Sequence, residues 1–240
     1  MAGSQYIALS GMRARLDQLD RLAADIANVG TAGYKSERAA DAQADRPQFN
    51  TVLQSAIDVS TGDRRLDVSP GTMASTGRDL DFAIEGNGFF VVDTPAGERY
   101  TRNGHFSRSN EGTLVTDDGS EVQGADGPIK LGKGDIDVDP DGTIKAGGVT
   151  AGKLKVVTFD NPAGLAAESG ARLRAVTAVP VDMAKPNVRV GALEQSNVSV
   201  VDRVAELTGV TRSFEALQKA MSLMVNDIDG RAIDQLGRLR

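Results

Sequence analysis

Two stretches near the ends of the chain carry apolar residues at steps of three and four. The first is Leu9, Met12, Leu16, Leu19, Ala23 and Ile26. The second opens with Val200 and Val204 and continues through Leu207, Val210, Phe214, Leu217, Met221, Met224 and Ile228. This spacing lines residues up on one stripe of a helix, a seam that lies against another helix. It predicts helices over 4–28 and 200–228, about 37 and 43 Å long at ~1.5 Å per residue. Ser199 and Asp202 stand at capping-box spacing at the start of the second. The first seam stops at Asn28, where polar, turn-rich sequence with Gly30 and Gly33 follows. Gly30 is the expected left-handed residue past the helix end. With no local partner for either seam, the simplest arrangement is an antiparallel pair of the two terminal helices. Closing so long a loop costs entropy, so the pair is expected to become firm only within a larger assembly.

Between the helices the pattern changes. Residues 36–75 have weak periodicity, with Pro47, Gly62, Pro70 and Gly71 among polar segments and short apolar patches such as Val52, Leu53, Ala56 and Ile57. They read as an extended connector. From residue 80 apolar and polar residues alternate, beginning with Leu80, Phe82 and Ile84. Strands are expected at 80–85, Phe89–Val92, Tyr100–Arg102, Thr113–Thr116, Ile129–Leu131, Ile136–Val138, Thr143–Lys145, Leu154–Phe159 and Val176–Val181. Turn signals every eight to twelve residues suggest a sandwich or irregular barrel. The fold class is therefore α+β: an irregular all-β central domain with long N- and C-terminal α-helices pairing antiparallel. The boundaries are an N-terminal assembly helix and turn at 1–35, the connector at 36–75, the β domain at 76–190 and a C-terminal assembly helix at 191–240.

Charge follows the same division. The net charge is −6. Residues 1–28 balance three Arg against three Asp, and residues 200–240 balance six basic against six acidic side chains. With Lys35 adding one positive charge, the acidic excess of −7 lies in residues 36–199. Neutral amphipathic ends flank an acidic body, and no concentrated basic surface suggests nucleic acid. Aromatic residues are only 4% and tryptophan is absent, so the core must be Val, Ile, Leu and Ala. Cysteine is absent, which excludes disulfides and thiol chemistry. No apolar run approaches the ~18–20 residues of a membrane span. The N-terminus lacks the basic and apolar regions of a cleaved secretory signal.

Candidate chemistry is thin. Asp137, Asp139, Asp141 and Gly142 match the opening of a calcium loop, but the twelfth position is Gly148 and the flanks read as strands. A β-turn is the simpler reading of Pro140–Gly142. Residues 147–153, GGVTAGK, approach a phosphate-binding loop, but Leu154 stands where Ser or Thr should hold magnesium, and a strand follows. Gly86-Asn87-Gly88 lacks the third glycine and the helix of a dinucleotide fingerprint. His105 is the single histidine and reads as structural or solvated. No catalytic residue, metal, cofactor or small-molecule substrate is expected.

Several segments together resemble the bacterial flagellar rod and hook proteins. They are ANVGTAGYK at Ala27–Lys35, TGRDLDFAIEGNGFFVV at Thr76–Val92, YTRNGHF at Tyr100–Phe106, GTLVT at Gly112–Thr116 and GPI at Gly127–Ile129. LEQSNVSVV at Leu193–Val201 and RSFEALQKAM at Arg212–Met221 complete the set at the C-terminal end. The chain departs from the family pattern at Val29-Gly30, at Tyr34 and at Gly209. Its length, the segment from DGPI to DPDGTI and the tail NDIDGRAIDQLGR look most like the proximal rod member. The resemblance implies a structural subunit of an axial helical assembly surrounding an export channel and located in the periplasmic rod. It implies export by the flagellar type III apparatus, and partners among proximal and distal rod proteins, including copies of this chain. The partner-binding residues expected are the seam positions named above from Leu9 to Ile26, the turn residues Asn28, Gly33 and Tyr34, and the second seam from Val204 to Ile228.

Overall fold

The computed structural model describes residues 2–39, 64–132, 134–169 and 171–237. Most of the predicted connector, including Val52, Leu53, Ala56 and Ile57, lies outside the described residues. Among the described residues the fold is α+β, with two helices and a mostly β central region. The chain forms two compact units: residues 1–26, 39–64 and 200–240 make one, and residues 27–38 and 65–199 make the other.

In the helical unit, α1 spans Ala2–Ala27 and α2 spans Val200–Gly237. Neither contains proline, and Ala, Leu, Arg and Gln dominate α1, all good helix formers. Asp202 lies in the first turn of α2, where a carboxylate favours the positive end of the helix dipole. The hydroxyls of Thr208, Thr211 and Ser213 donate to the carbonyls four residues earlier, which satisfies them inside the helix. Polar contacts between the helices run in antiparallel order. Asp25 pairs with Arg203 at 3.0 Å, and Gln18 Nε2 donates to Glu206 Oε1 at 3.1 Å. Among the described residues a Cβ on Gly209 would meet nothing within 4 Å. No helix among the described residues is long and apolar enough to cross a membrane.

Among the described residues the other unit holds nineteen short strands, and β3 to β19 all pair antiparallel. β1 (Glu37–Ala39) pairs with β2 (Arg64–Leu66). β3 (Met73–Ser75) and β4 (Phe82–Glu85) precede the long strands β5 (Phe89–Thr94) and β6 (Gly97–Thr101). Then come β7 (Phe106–Arg108), β8 (Leu114–Thr116), β9 (Glu121–Gly124) and β10 (Gly127–Pro128). β11 (Ile136–Val138), β12 (Thr143–Ala146) and β13 (Val149–Lys153) form a separate meander. β14 (Val156–Phe159), β15 (Leu165–Glu168), β16 (Arg172–Ala175) and β17 (Pro180–Asp182) return to the main sheet. β18 (Asn187–Val190) pairs with β4, and β19 (Ala192–Glu194) pairs with β3. Among the described residues the main sheet has ten strands.

β5 is the centre of this unit. Phe89, Phe90, Val91 and Val92 are all buried. Side chains alternate across a strand, so Phe90 and Val92 join a cluster with Phe82, Phe106, Leu114 and Val122. Phe89 and Val91 join another with Tyr100, Val157, Phe159 and Leu173. The core is therefore not made of Val, Ile, Leu and Ala alone: edge-on ring contacts link Phe90 to Phe106 at 5.2 Å and Tyr100 to Phe159 at 4.9 Å, a geometry aromatic pairs favour.

Two strand expectations shift. The strand expected over Val176–Val181 is interrupted, because the Gly164 carbonyl accepts the N–H groups of Val176, Thr177 and Ala178 and folds the chain around itself. The strand expected at Ile129–Leu131 is β10 two residues earlier, followed by an isolated bridge between Thr113 and Lys130. The aspartate motif is a β-turn between β11 and β12: Gly142 N–H donates to Asp139 O at 2.9 Å, and Gly142 has φ +84. GGVTAGK is the β12–β13 turn and strand.

Candidate functional site

The turn after α1 is set by its own backbone. Thr31 N–H donates to Asn28 O at 3.0 Å, and Tyr34 N–H donates to Thr31 O at 3.3 Å. Gly33, and not Gly30, adopts the left-handed conformation, with φ +68. The reason is spatial as well as conformational. A Cβ on Gly33 would lie 2.2 Å from Asn103 N and 2.3 Å from Arg102 C, while Gly30 faces open space. Gly33 N–H donates to the Glu194 carbonyl at 2.7 Å, so the turn rests on both β6–β7 and β19 backbone.

That placement sends Lys35 inward. Its Nζ donates to Glu194 Oε1 at 2.5 Å and to Ser69 O at 2.7 Å. Glu194 Oε2 accepts from Arg102 at 3.0 Å, and Glu194 Oε1 also accepts from Gly71 N–H at 3.0 Å. Arg102 donates further to Ile84 O at 3.3 Å and Gly86 O at 2.5 Å, and its guanidinium lies 4.9 Å from the Phe89 ring centroid. Side-chain exposure is 1% for Lys35, 1% for Glu194 and 2% for Arg102. Two cations thus share one carboxylate in the interior. Burial lowers the Lys35 pKa, and the Glu194 carboxylate opposes that fall. Arg102 is likewise lowered by burial against the pull of Glu194.

Asn197 closes the site. Its Oδ1 accepts Ser36 N–H at 2.9 Å, and its Nδ2 donates to Asp67 O at 2.8 Å. Burial raises the Asp67 carboxyl pKa, but hydrogen bonds from Ser69 and the charges of Arg38 and Lys35 outweigh it, so the net shift is downward. A carboxyl held below its unfolded value contributes stability that is present above the unfolded pKa and lost as pH falls through the folded one. Thermal melts followed by circular dichroism from pH 7 down to pH 3 should therefore show Asp67→Asn losing less stability on acidification than the native chain.

The site unites residues of segments 27–38, 67–72, 84–89, 100–106 and 193–201, and of the partner-binding residues expected from sequence, Asn28, Gly33 and Tyr34 form its turn. Lys35, Arg102, Glu194 and Asn197 were missed. The available signal was a lone Lys following a glycine-punctuated turn. His105 is held by Asp81, with Nδ1 2.8 Å from its Oδ1 and Arg78 beside the ring. Among the described residues no group of His, Asp and Glu is arranged to hold a metal.

The predicted seam residues occupy the helical unit unequally. Leu207, Val210, Phe214, Leu217 and Met221 are buried or half-buried at alternating steps of three and four. Val204 is 45% exposed, because Arg203 takes the inner position to reach Asp25. On α1 the inward face follows Gln18, Leu22 and Asp25. Met12, Leu19 and Ile26 flank it half-buried, Ala23 is exposed, and Leu9 and Leu16 are 57% and 46% exposed. Asn28 and Tyr34 are half-buried. Met224 and Ile228 fall within α2, but their side chains lie outside the described residues.

Residues 83–146 match the family described as the flagellar hook protein FlgE/F/G D1 domain. Residues 189–234 match the flagellar basal body rod FlgEFG protein C-terminal family. The chain is 35% identical to the flagellar basal-body rod protein FlgF of Rhizobium meliloti, over 98% of each chain. It is 33% identical to FlgF of Escherichia coli over 95% of each. It is 32% identical to the rod protein FlgG of Bacillus subtilis, over 92% of this chain and 95% of that one.

Proposed function

Since the chain belongs to the flagellar basal-body rod protein family, we propose that it builds the proximal segment of the rod, packing through its two terminal helices against neighbouring rod subunits. It is a structural subunit, not an enzyme, and its place is the basal-body rod in the periplasmic space. The observation that carries this reading is end-to-end likeness to rod proteins at 35% identity over 98% of both chains.

The exposed apolar residues of the helical unit support the manner of packing. Leu9, Leu16, Val200, Val201 and Val204 are each between 44% and 78% exposed. Fully burying one such side chain stabilises by about 1.5–3 kcal/mol, so a subunit contact covering several is strongly favoured. The half-buried Met12, Leu19 and Ile26 and the α2 seam from Leu207 to Met221 would hold the two helices together while the outer residues meet other subunits. Heterologous contacts related by a rotation that does not close generate a helical filament. The partners are proximal and distal rod proteins and copies of this chain, with delivery by the flagellar export apparatus.

Leu9→Asp combined with Leu16→Asp places two carboxylates where a neighbour should bury leucine. Basal bodies purified from cells carrying this variant should lack the subunit and the cells should be non-motile, while the purified variant keeps the β-sheet circular dichroism of the native chain. Normal incorporation and motility would overturn the packing scheme. The 32% identity to FlgG over most of both chains favours a second reading, a distal rod subunit. Complementation separates the two: rescue of a strain lacking its proximal rod protein supports the first, and rescue only of one lacking its distal rod protein supports the second.

A further inference from the structure

Segments 28–36, 67–72 and 193–198 meet through groups that each depend on the other two. Glu194 takes Lys35 from the first and Gly71 N–H from the second on one carboxylate oxygen, at 2.5 and 3.0 Å. Its carbonyl takes Gly33 N–H at 2.7 Å. Lys35 in turn donates to Ser69 O at 2.7 Å. Asn197 joins Ser36 N–H at 2.9 Å to Asp67 O at 2.8 Å. If 28–36 lifts away, Glu194 loses an ammonium and a backbone donor. If 193–198 lifts away, Lys35 and Arg102 remain buried without an anion. If 67–72 lifts away, Lys35 loses Ser69 and Glu194 loses Gly71. A buried charge left unpaired is far costlier than a pair removed whole.

The exchanged groups touch the clusters on the two faces of β5 at the rim: Arg102 meets the Phe89 ring and donates to Ile84 O, and Val68 of the second segment packs against the cluster of Phe89 and Val91. We propose that the three segments form a single latch, which opens and closes as one cooperative unit while the β core stays folded. Local opening in contiguous cooperative units is a general property of folded chains. The latch has an additional consequence through connectivity alone: α1 ends at Ala27 and α2 begins at Val200. Both helices therefore adjoin the latch in the chain, and one opening event frees the backbone next to each.

Hydrogen exchange with mass spectrometry on the full chain tests this. Lys35→Met and Glu194→Gln should each raise exchange at least tenfold in all three segments, with Phe89–Val92 protected as in the native chain. The double variant should exchange much less than the product of the two single effects, because both break the same unit. Lys35→Met opening 28–36 alone, with 193–198 still at native protection, would overturn the proposal. If a variant fails to fold, the native chain in a low-denaturant series decides. Amides of the three segments should merge on one opening isotherm lying below that of Phe89–Val92, and separate isotherms for the three would refute the latch.

Discussion

Phe90→Ala should lower the stability of the β unit by about 3–5 kcal/mol, the usual cost of emptying an aromatic site in a packed core. Phe90 is 0% exposed and sits mid-strand on β5. Its ring meets Phe106 at 5.2 Å, and Phe106 is itself held against Phe82 at 5.8 Å, so the ring bordering the vacated volume is not free to move in. A Cβ on the neighbouring Gly104 would lie 1.8 Å from Phe82 O and 3.1 Å from the Phe90 ring, so backbone already presses against this site and leaves little freedom to collapse. Urea unfolding followed by circular dichroism measures the loss as a fall in midpoint with the slope unchanged. A loss below about 1 kcal/mol would mean that the cluster repacks freely, against close packing.

Glu194→Ala should be comparably damaging for a different reason. It strands Lys35 and Arg102, at 1% and 2% side-chain exposure, with no anion between them. Removing one partner of a buried ion pair costs about 3–5 kcal/mol, whereas replacing the whole group by apolar side chains is often neutral. Joint replacement by Lys35→Met, Arg102→Met and Glu194→Leu should therefore recover most of what Glu194→Ala loses. Arg102 also donates to Ile84 O and Gly86 O, so recovery should be incomplete. Thermal melts of the two variants at neutral pH give the comparison. If both lose the same stability, the cost lies in packing and not in charge.

Much of the architecture was legible because apolar periodicity responds to burial. Leu207, Val210, Phe214, Leu217 and Met221 turn inward as their spacing predicts, and the Phe89–Val92 run is a strand buried on both faces. Periodicity fails where a seam ends in charge. Asp25 is 1% exposed and takes Arg203 at 3.0 Å, so at that end the inward positions are polar. Counting apolar residues alone placed Ala23 and Val204 inside. The choice between Gly30 and Gly33 was equally invisible, since both suit a helix end. It was decided by the backbone of Arg102 and Asn103 crossing beside the turn. The charge cluster was hidden by distance along the chain: 159 residues separate Lys35 from Glu194, and 92 separate Arg102 from Glu194. Nothing local marks a lysine as buried when its counter-ion arrives from the far side of a β domain.

β5 lends its two faces to different clusters, and β14 does the same, with Val156 on one side and Val157 on the other. These strands are a common wall between two cores. A force that shears one cluster must distort the backbone that also bounds the other, so neither can peel off as a separate layer. In a rod subunit, the β unit should yield to torsion as one stiff block, with compliance left to the parts of the chain outside it.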